Sequence, residues 1–191
     1  MASIGKLVSV EVRELWKHEE YGFSAWLENN LEILSEAIDF ELSDPERELA
    51  AGDFRVDLVA KDEKANRVVI ENQLEATNHD HLGKVITYLS NLDAKVAIWI
   101  ATEAREEHIR AIQWLNENTS DGFDFYLVRL AAYRIANSDP APLFTVIVGP
   151  SEDAKKIGKV KTQPGEQGLS GFLCQRVWVR YLLRAPGIRS S

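Results

Sequence analysis

Gly52-Asp53-Phe54-Arg55-Val56-Asp57-Leu58-Val59-Ala60 is followed, after the polar run Lys61-Asp62-Glu63-Lys64-Ala65-Asn66, by Arg67-Val68-Val69-Ile70-Glu71-Asn72-Gln73. Two strand-length runs rich in β-branched residues flank a short polar connection, which predicts an antiparallel hairpin. Alternation along the first run puts Phe54, Val56 and Leu58 on one face and Arg55, Asp57 and Val59 on the other. On the second, Val69, Glu71 and Gln73 share a face opposite Val68 and Ile70. A turn about Lys64 pairs Val59 with Val69, Asp57 with Glu71 and Arg55 with Gln73.

Directly opposed residues hold their Cβ atoms roughly 4.5–5.5 Å apart. Two ionised carboxylates at that separation repel, and selection for stability alone would avoid the arrangement. A divalent cation between them reverses the sign. Mg²⁺ prefers carboxylate oxygens and keeps several waters, so two acidic ligands plus a substrate phosphate suit it. Such a centre activates a bound water and stabilises charge on a scissile phosphate. Phosphate esters hydrolyse so slowly that an enzyme must lower the barrier by on the order of 20 kcal/mol. Taken singly, Asp57 or Glu71 reads as a solvated strand carboxylate. On one shared face beside Gln73, they read as a site.

Upstream, Leu27, Leu31, Leu34 and Ile38 recur at helical spacing with Glu28, Glu32 and Glu36 largely opposite, which predicts an amphipathic helix over 24–38 with Ser24 as N-cap. A short strand around Phe40–Leu42 is expected to end at Ser43-Asp44-Pro45. Downstream, Asn78 or Thr77 caps a helix running through His81, Val85 and Leu89 towards Asn91. The continuous apolar run Val96-Ala97-Ile98-Trp99-Ile100 predicts a strand buried on both faces. Thr102 is expected to cap a further helix carrying Ile109, Ile112 and Leu115. Strands over 123–135 and 143–148 follow. The segment before Tyr21 gives no clear secondary structure. Helix, three strands, helix, strand, helix and two strands make an α/β fold with a central mixed β-sheet flanked by helices.

These residues carry a specific resemblance. Gly52 to Asp57, the hairpin, and Val69-Ile70-Glu71-Asn72-Gln73 resemble the D…(D/E)-x-K core of the PD-(D/E)XK, restriction-endonuclease-like superfamily, with its αβββαβ order. Arg13-Glu14-Leu15-Trp16-Lys17-His18-Glu19, Ile70 to Glu75, and His79-Asp80-His81-Leu82-Gly83-Lys84 are similar to a group of bacterial nuclease-like proteins. The likeness runs from about Ile4 to Pro150. It implies DNA as the partner, Mg²⁺ or Mn²⁺ as cofactor, Asp57 and Glu71 as metal ligands, and an endonuclease of genome defence or repair; it also admits a homodimer. Gln73 would occupy the lysine position, where it can orient by hydrogen bonds but supplies no charge. Lys84 would compensate from the following helix; with Tyr88 it sits where many relatives carry Q-x-x-x-Y, on one helical face. An acid from the first helix often completes such a site, and Glu19, Glu28 and Glu32 are all candidates. The alternative is a nuclease fold that binds nucleic acid or protein without turnover.

His79 and His81, two residues apart at a helix start, point in different directions and read as an exposed first-turn residue and a packing residue rather than as ligands. Trp99 and Trp114 read as core. Trp16 and Trp26 read as packing residues, with base stacking as the alternative.

The chain has 191 residues, 27 % of them charged, with a net charge of −8. That length suits one α/β domain, expected over residues 1–150, with an appendage. From Ser151 on, eight basic residues oppose three acidic ones, a net of +5 that leaves −13 for the rest. A cation-binding acidic cluster adds to that excess, although an ordinary acidic surface accounts for most of it. The run Thr162 to Gly168 is loop-like, 172–183 fits a helix or a strand, and the end from Ala185 has the composition of a disordered tail. The lone Cys174 fits a reducing compartment. With no apolar run long enough to cross a bilayer and no signal-peptide core, a cytoplasmic location is expected.

Overall fold

The computed structural model describes residues 4–51 and 54–150; the basic extension expected over 151–191 lies outside them. In chain order the elements are β1 (Leu7–Val10), α1 (Val12–Leu15), a π-helical turn (Glu19–Ser24), α2 (Ala25–Glu28), α3 (Leu31–Ile38), β2 (Ser43–Ala51), β3 (Phe54–Lys61) and β4 (Arg67–Ala76). Then come α4 (His79–Asn91), β5 (Val96–Glu103), α5 (Glu106–Asn118), β6 (Asp124–Ile135) and β7 (Ala141–Val148).

The β3–β4 hairpin forms in the expected register, with Val59 opposite Val69 and Leu58 opposite Ile70. Asp62 builds its turn, accepting from the backbone N–H of Lys64 at 2.9 Å and of Asn66 at 2.8 Å, while Ala65 adopts φ 61°. Strands run in the order β1-β6-β5-β4-β3-β2, with β7 on β6. β4, β5 and β6 are parallel and joined through α4 and α5, whereas the hairpin partners and β1 are antiparallel. The expected mixed sheet flanked by helices is therefore present.

Two apolar layers hold it. On one face Phe23, Leu27, Leu34 and Ile38 pack on Leu58, Ile70, Ile98 and Ile100. On the other, Val85 and Leu89 of α4 and Ile112 of α5 pack on Val59, Val69, Trp99 and Leu127. Burying each such side chain contributes about 1.5–3 kcal/mol. Among the described residues no helix is long and apolar enough to cross a membrane.

Several expectations need correction. The single helix expected over 24–38 is two pieces, α2 and α3. Asn29 and Asn30 donate their side-chain amides back to the carbonyls of Ala25 and Trp26, at 2.8 and 2.7 Å, and the chain breaks there. Such side chains compete with helical backbone bonding. Ser24 does stand at the N-cap position of α2, but its side chain makes no capping bond: the residue is helical, buried, and bonded to Asn72. Ser43-Asp44-Pro45 begins β2 instead of ending a strand before it, because β2 is an edge strand with a bulge between Ser43 and Glu46, where proline is tolerated. Thr102 lies within β5, and α5 starts after Arg105. Val56 packs with Val59, not with Leu58, so strict alternation fails around Asp57. Trp114 is 60 % exposed, since α5 turns His108, Ile112 and Asn116 inward. Trp99 is fully buried as expected, and Trp16 and Trp26 pack with Phe23.

Candidate active site

Ladder pairing between β3 and β4 extends from Lys61 opposite Arg67 to Leu58 opposite Ile70, one residue short of Asp57 and Glu71. Beyond it β4 continues against β5 alone, with Glu71 opposite Trp99. Backbone donors that the lost ladder would have used take carboxylates instead. Asp57 Oδ2 accepts from Asn72 N at 2.8 Å, and Glu19 Oε2 accepts a short bond from Leu74 N. Buried backbone donors need partners, so the separation of two strands itself draws acids into one gap.

Glu71 is fully buried. Its Oε1 accepts from Lys84 Nζ at 2.9 Å, and its Oε2 has no hydrogen-bond partner. Burial first, then the charge of Asp57, pushes the Glu71 carboxyl up to about 8. Burial likewise raises Asp57 to about 6, although Asn72 N and Lys84 oppose the shift. Burial disfavours the Lys84 ammonium, but its bond to Glu71 and the charges around it outweigh that, and its pKa moves up. The cluster thus holds protons more tightly than its members would in water. Burial is the main cause for the two carboxyls, and the bond to Glu71 is the cause for the lysine.

Asp57, Glu71 and Lys84 are brought together; Gln73 is not aimed at them. Its Oε1 accepts from Trp99 Nε1 at 3.2 Å and its Nε2 donates to Ala76 O at 2.8 Å, so both ends are engaged in the interior. Tyr88 is buried near enough for burial, then Glu71, to raise its phenol pKa. Of the three first-helix acids, Glu19 is the one whose charge acts on both Asp57 and Glu71. Glu28 pairs with Arg47 at 2.7 Å, and Glu32 is exposed. A π-turn, with its wider spacing, brings Glu19 to β4, a departure that periodicity does not signal.

His81 was missed as a site residue. Its Nε2 lies 3.7 Å from Glu71 Oε1, and burial, then Lys84, depresses its pKa to about 4. Its spacing from Lys84 and Tyr88, three and seven residues, was the available signal. His79 instead meets the buried His108, Nδ1 to Nε2 at 2.9 Å, and His108 Nδ1 meets Thr77 Oγ1 at 2.8 Å. An acidic cleft of about 380 Å³ lined by Glu41, Asp44, Lys61, Asp62 and Glu63 sits at the hairpin end of β3, apart from these groups.

Among the described residues no three His, Cys, Asp or Glu side chains gather into a ready-made metal cage. A buried carboxylate with one unpartnered oxygen, Glu71, beside the half-buried Asp57 does fit a hard cation that takes its remaining ligands from water and phosphate.

No protein-family model matches the chain, and no curated protein matches it. Among solved structures it is similar to a repair endonuclease from Pyrococcus abyssi, at 18 % identity and TM-score 0.45, over 60 % of this chain and 48 % of that one. The structure of an EndoMS–dsDNA complex gives 20 % identity and TM-score 0.44, over 56 % and 43 %. A Silicibacter pomeroyi protein of unknown function gives 12 % and 0.26, over 76 % and 84 %. The chain thus spans less than half the length of the first two.

Proposed function

We propose that this chain is a metal-dependent deoxyribonuclease of the PD-(D/E)XK, restriction-endonuclease-like kind, hydrolysing phosphodiester bonds in DNA. The supporting observation is the convergence of Asp57, Glu71 and Lys84 where β3 and β4 separate, with one Glu71 oxygen buried and unpartnered. A setting in genome defence or repair follows from the sequence resemblance.

Asp57 and Glu71 would hold a Mg²⁺ or Mn²⁺ ion, which when bound supplies neutralising charge, a Lewis acid for the phosphate and a more acidic water. Asn72 N fixes the Asp57 carboxylate in one orientation. Lys84 carries a positive charge on a partly exposed side chain beside Glu71, placed to meet a phosphate oxygen. It takes over the electrostatic part that the superfamily assigns to the position of Gln73.

Incubation with single-stranded, double-stranded and structured DNA in Mg²⁺ or Mn²⁺ tests this. Cleavage is expected in the wild type and its loss in Asp57→Ala, by at least about 10³-fold. The orientation of Gln73 favours a second reading, a nuclease-fold module that binds nucleic acid without cutting it. Tight DNA binding without cleavage in either metal is the result that would select it.

Asn72 offers a separate check. Its Nδ2 donates to Ser24 Oγ at 2.8 Å, tying β4 to the π-turn that carries Glu19, while its Oδ1 is buried and unpartnered. Asn72→Leu loses one bond but also one orphaned acceptor, so thermal stability is expected to change by less than about 1 kcal/mol. Mn²⁺ affinity is expected to fall about 10-fold, because outer groups orient ligands. Calorimetric titration reads the affinity; an unchanged value would make Asn72 a packing residue only.

A further inference from the structure

The two edges of the sheet are built differently. On β6, β5 and β1 share one side and β7 takes the other, so among the described residues no strand pairs with the outer edge of β7. β2, at the far edge, carries Asp44, Glu46, Arg47 and Glu48, a proline and a bulge. Those are the devices that keep an edge from recruiting another strand. β7 has no charged residue; past Pro142 it reads Leu143-Phe144-Thr145-Val146-Ile147-Val148, and Leu143 is 47 % exposed. An uncharged edge of strand-forming residues is a template for one more strand.

The chain itself supplies an occupant. It leaves β7 close against the sheet, since a Cβ on Gly149 would meet the Tyr126 ring at 3.3 Å. Residues 151–191 follow, outside the described residues. Their one long apolar run is 172–183, in which Val177, Val179, Tyr181 and Leu183 alternate with Arg176, Trp178 and Arg180. An antiparallel return requires residues 151–171 to end only about 4.8 Å from β7. A connection of about 20 residues can span up to about 70 Å, so the return is well within reach. Tethering also holds the run at an effective concentration on the order of millimolar, which a second copy does not reach in dilute solution.

We propose that the outer edge of β7 is the docking surface for this chain's own residues 172–183, which add to the sheet as an antiparallel strand. The new edge then carries Arg176 and Arg180, the kind of charge that β2 has and β7 lacks. Nothing in this reading depends on the carboxylate site.

Paramagnetic broadening in the full chain tests the proposal. Cys174 is the only cysteine, so a nitroxide attached there marks the run without any substitution. In ¹⁵N-labelled protein carrying the nitroxide, the amides of residues 141–148 are expected to lose their signals and to regain them when the label is reduced. In a mixture of ¹⁵N chains without nitroxide and unlabelled chains with it, those signals are expected to stay. Hydrogen exchange gives a second reading. The β7 amides directed away from β6 are expected to exchange at least about 10-fold faster in Val179→Pro than in the wild type. Broadening in the mixture shows a second copy on the edge and overturns the proposal. Broadening confined to other elements, no broadening at all, or exchange unmoved by Val179→Pro overturns it too. The nitroxide reading uses the wild-type sequence, so it decides the point even if the proline variant folds poorly.

Discussion

Glu71→Gln is expected to abolish the thermal stabilisation given by Mn²⁺ and to lower DNA cleavage by at least about 10³-fold, while making the metal-free protein's stability less sensitive to alkaline pH. The sign follows from burial. The Glu71 carboxyl moves from 4.5 to about 8 on folding, because burial and then Asp57 disfavour the charged form. A raised folded pKa means that the associated stability is fully present below about 4.5. It is lost as pH rises towards about 8. Glutamine never ionises and lacks this dependence. Between pH 5 and pH 9 the wild type is therefore expected to lose on the order of 3 kcal/mol relative to the variant. Asp57, raised to about 6, contributes in the same direction in both proteins and does not account for the difference. Thermal melts across pH, with and without Mn²⁺, measure both halves. Parallel pH profiles for the two proteins would show that Glu71 is not buried in charged form, and equal Mn²⁺ stabilisation would remove it from the ligand set.

The second large effect concerns Gln73→Lys, which restores the residue type that the superfamily resemblance implies. It is expected to cost about 2–4 kcal/mol and to bring no gain in cleavage. Gln73 is 2 % exposed, and its amide serves Trp99 on one side and Ala76 on the other. A lysine can still donate to Ala76 O but offers no acceptor, so the fully buried indole N–H of Trp99 loses its partner. An ammonium also replaces a neutral amide in the interior. Lys84 already supplies a cation to Glu71, so a second has little electrostatic work left. Chemical denaturation and cleavage assays on the purified variant measure the two outcomes. A Gln73→Lys protein as stable as the wild type and faster in cleavage would mean that position 73 reaches the reacting centre.

The difference between Gln73 and Lys84 shows what was readable in advance. Alternation places Gln73 on the Glu71 face but says nothing about what waits there. Trp99 Nε1, twenty-six residues away, captures the amide. Lys84 was legible as a neighbour because helix α4 follows β4 directly and its spacing to Tyr88 is local. Glu19 was one of three equal candidates, because its approach depends on a π-turn and on Leu74 N, neither visible in hydrophobic spacing. His81 reads as a packing residue in the sequence, because its approach to Glu71 turns on a contact with Asn78 that orients the ring.

By itself the sequence determined the hairpin, its register about Lys64, the buried strand at Trp99 and the helices joining the parallel strands. Those features follow from periodicity and turn chemistry, which act between residues close along the chain. Tertiary structure alone decided that β3 and β4 separate just before Asp57 and Glu71, and that freed backbone donors on β4 gather Asp57 and Glu19 there. It likewise decided that one Glu71 oxygen is buried with nothing to bond. Desolvation and the pairing of buried polar groups depend on every element packed around the gap, and no local pattern encodes them.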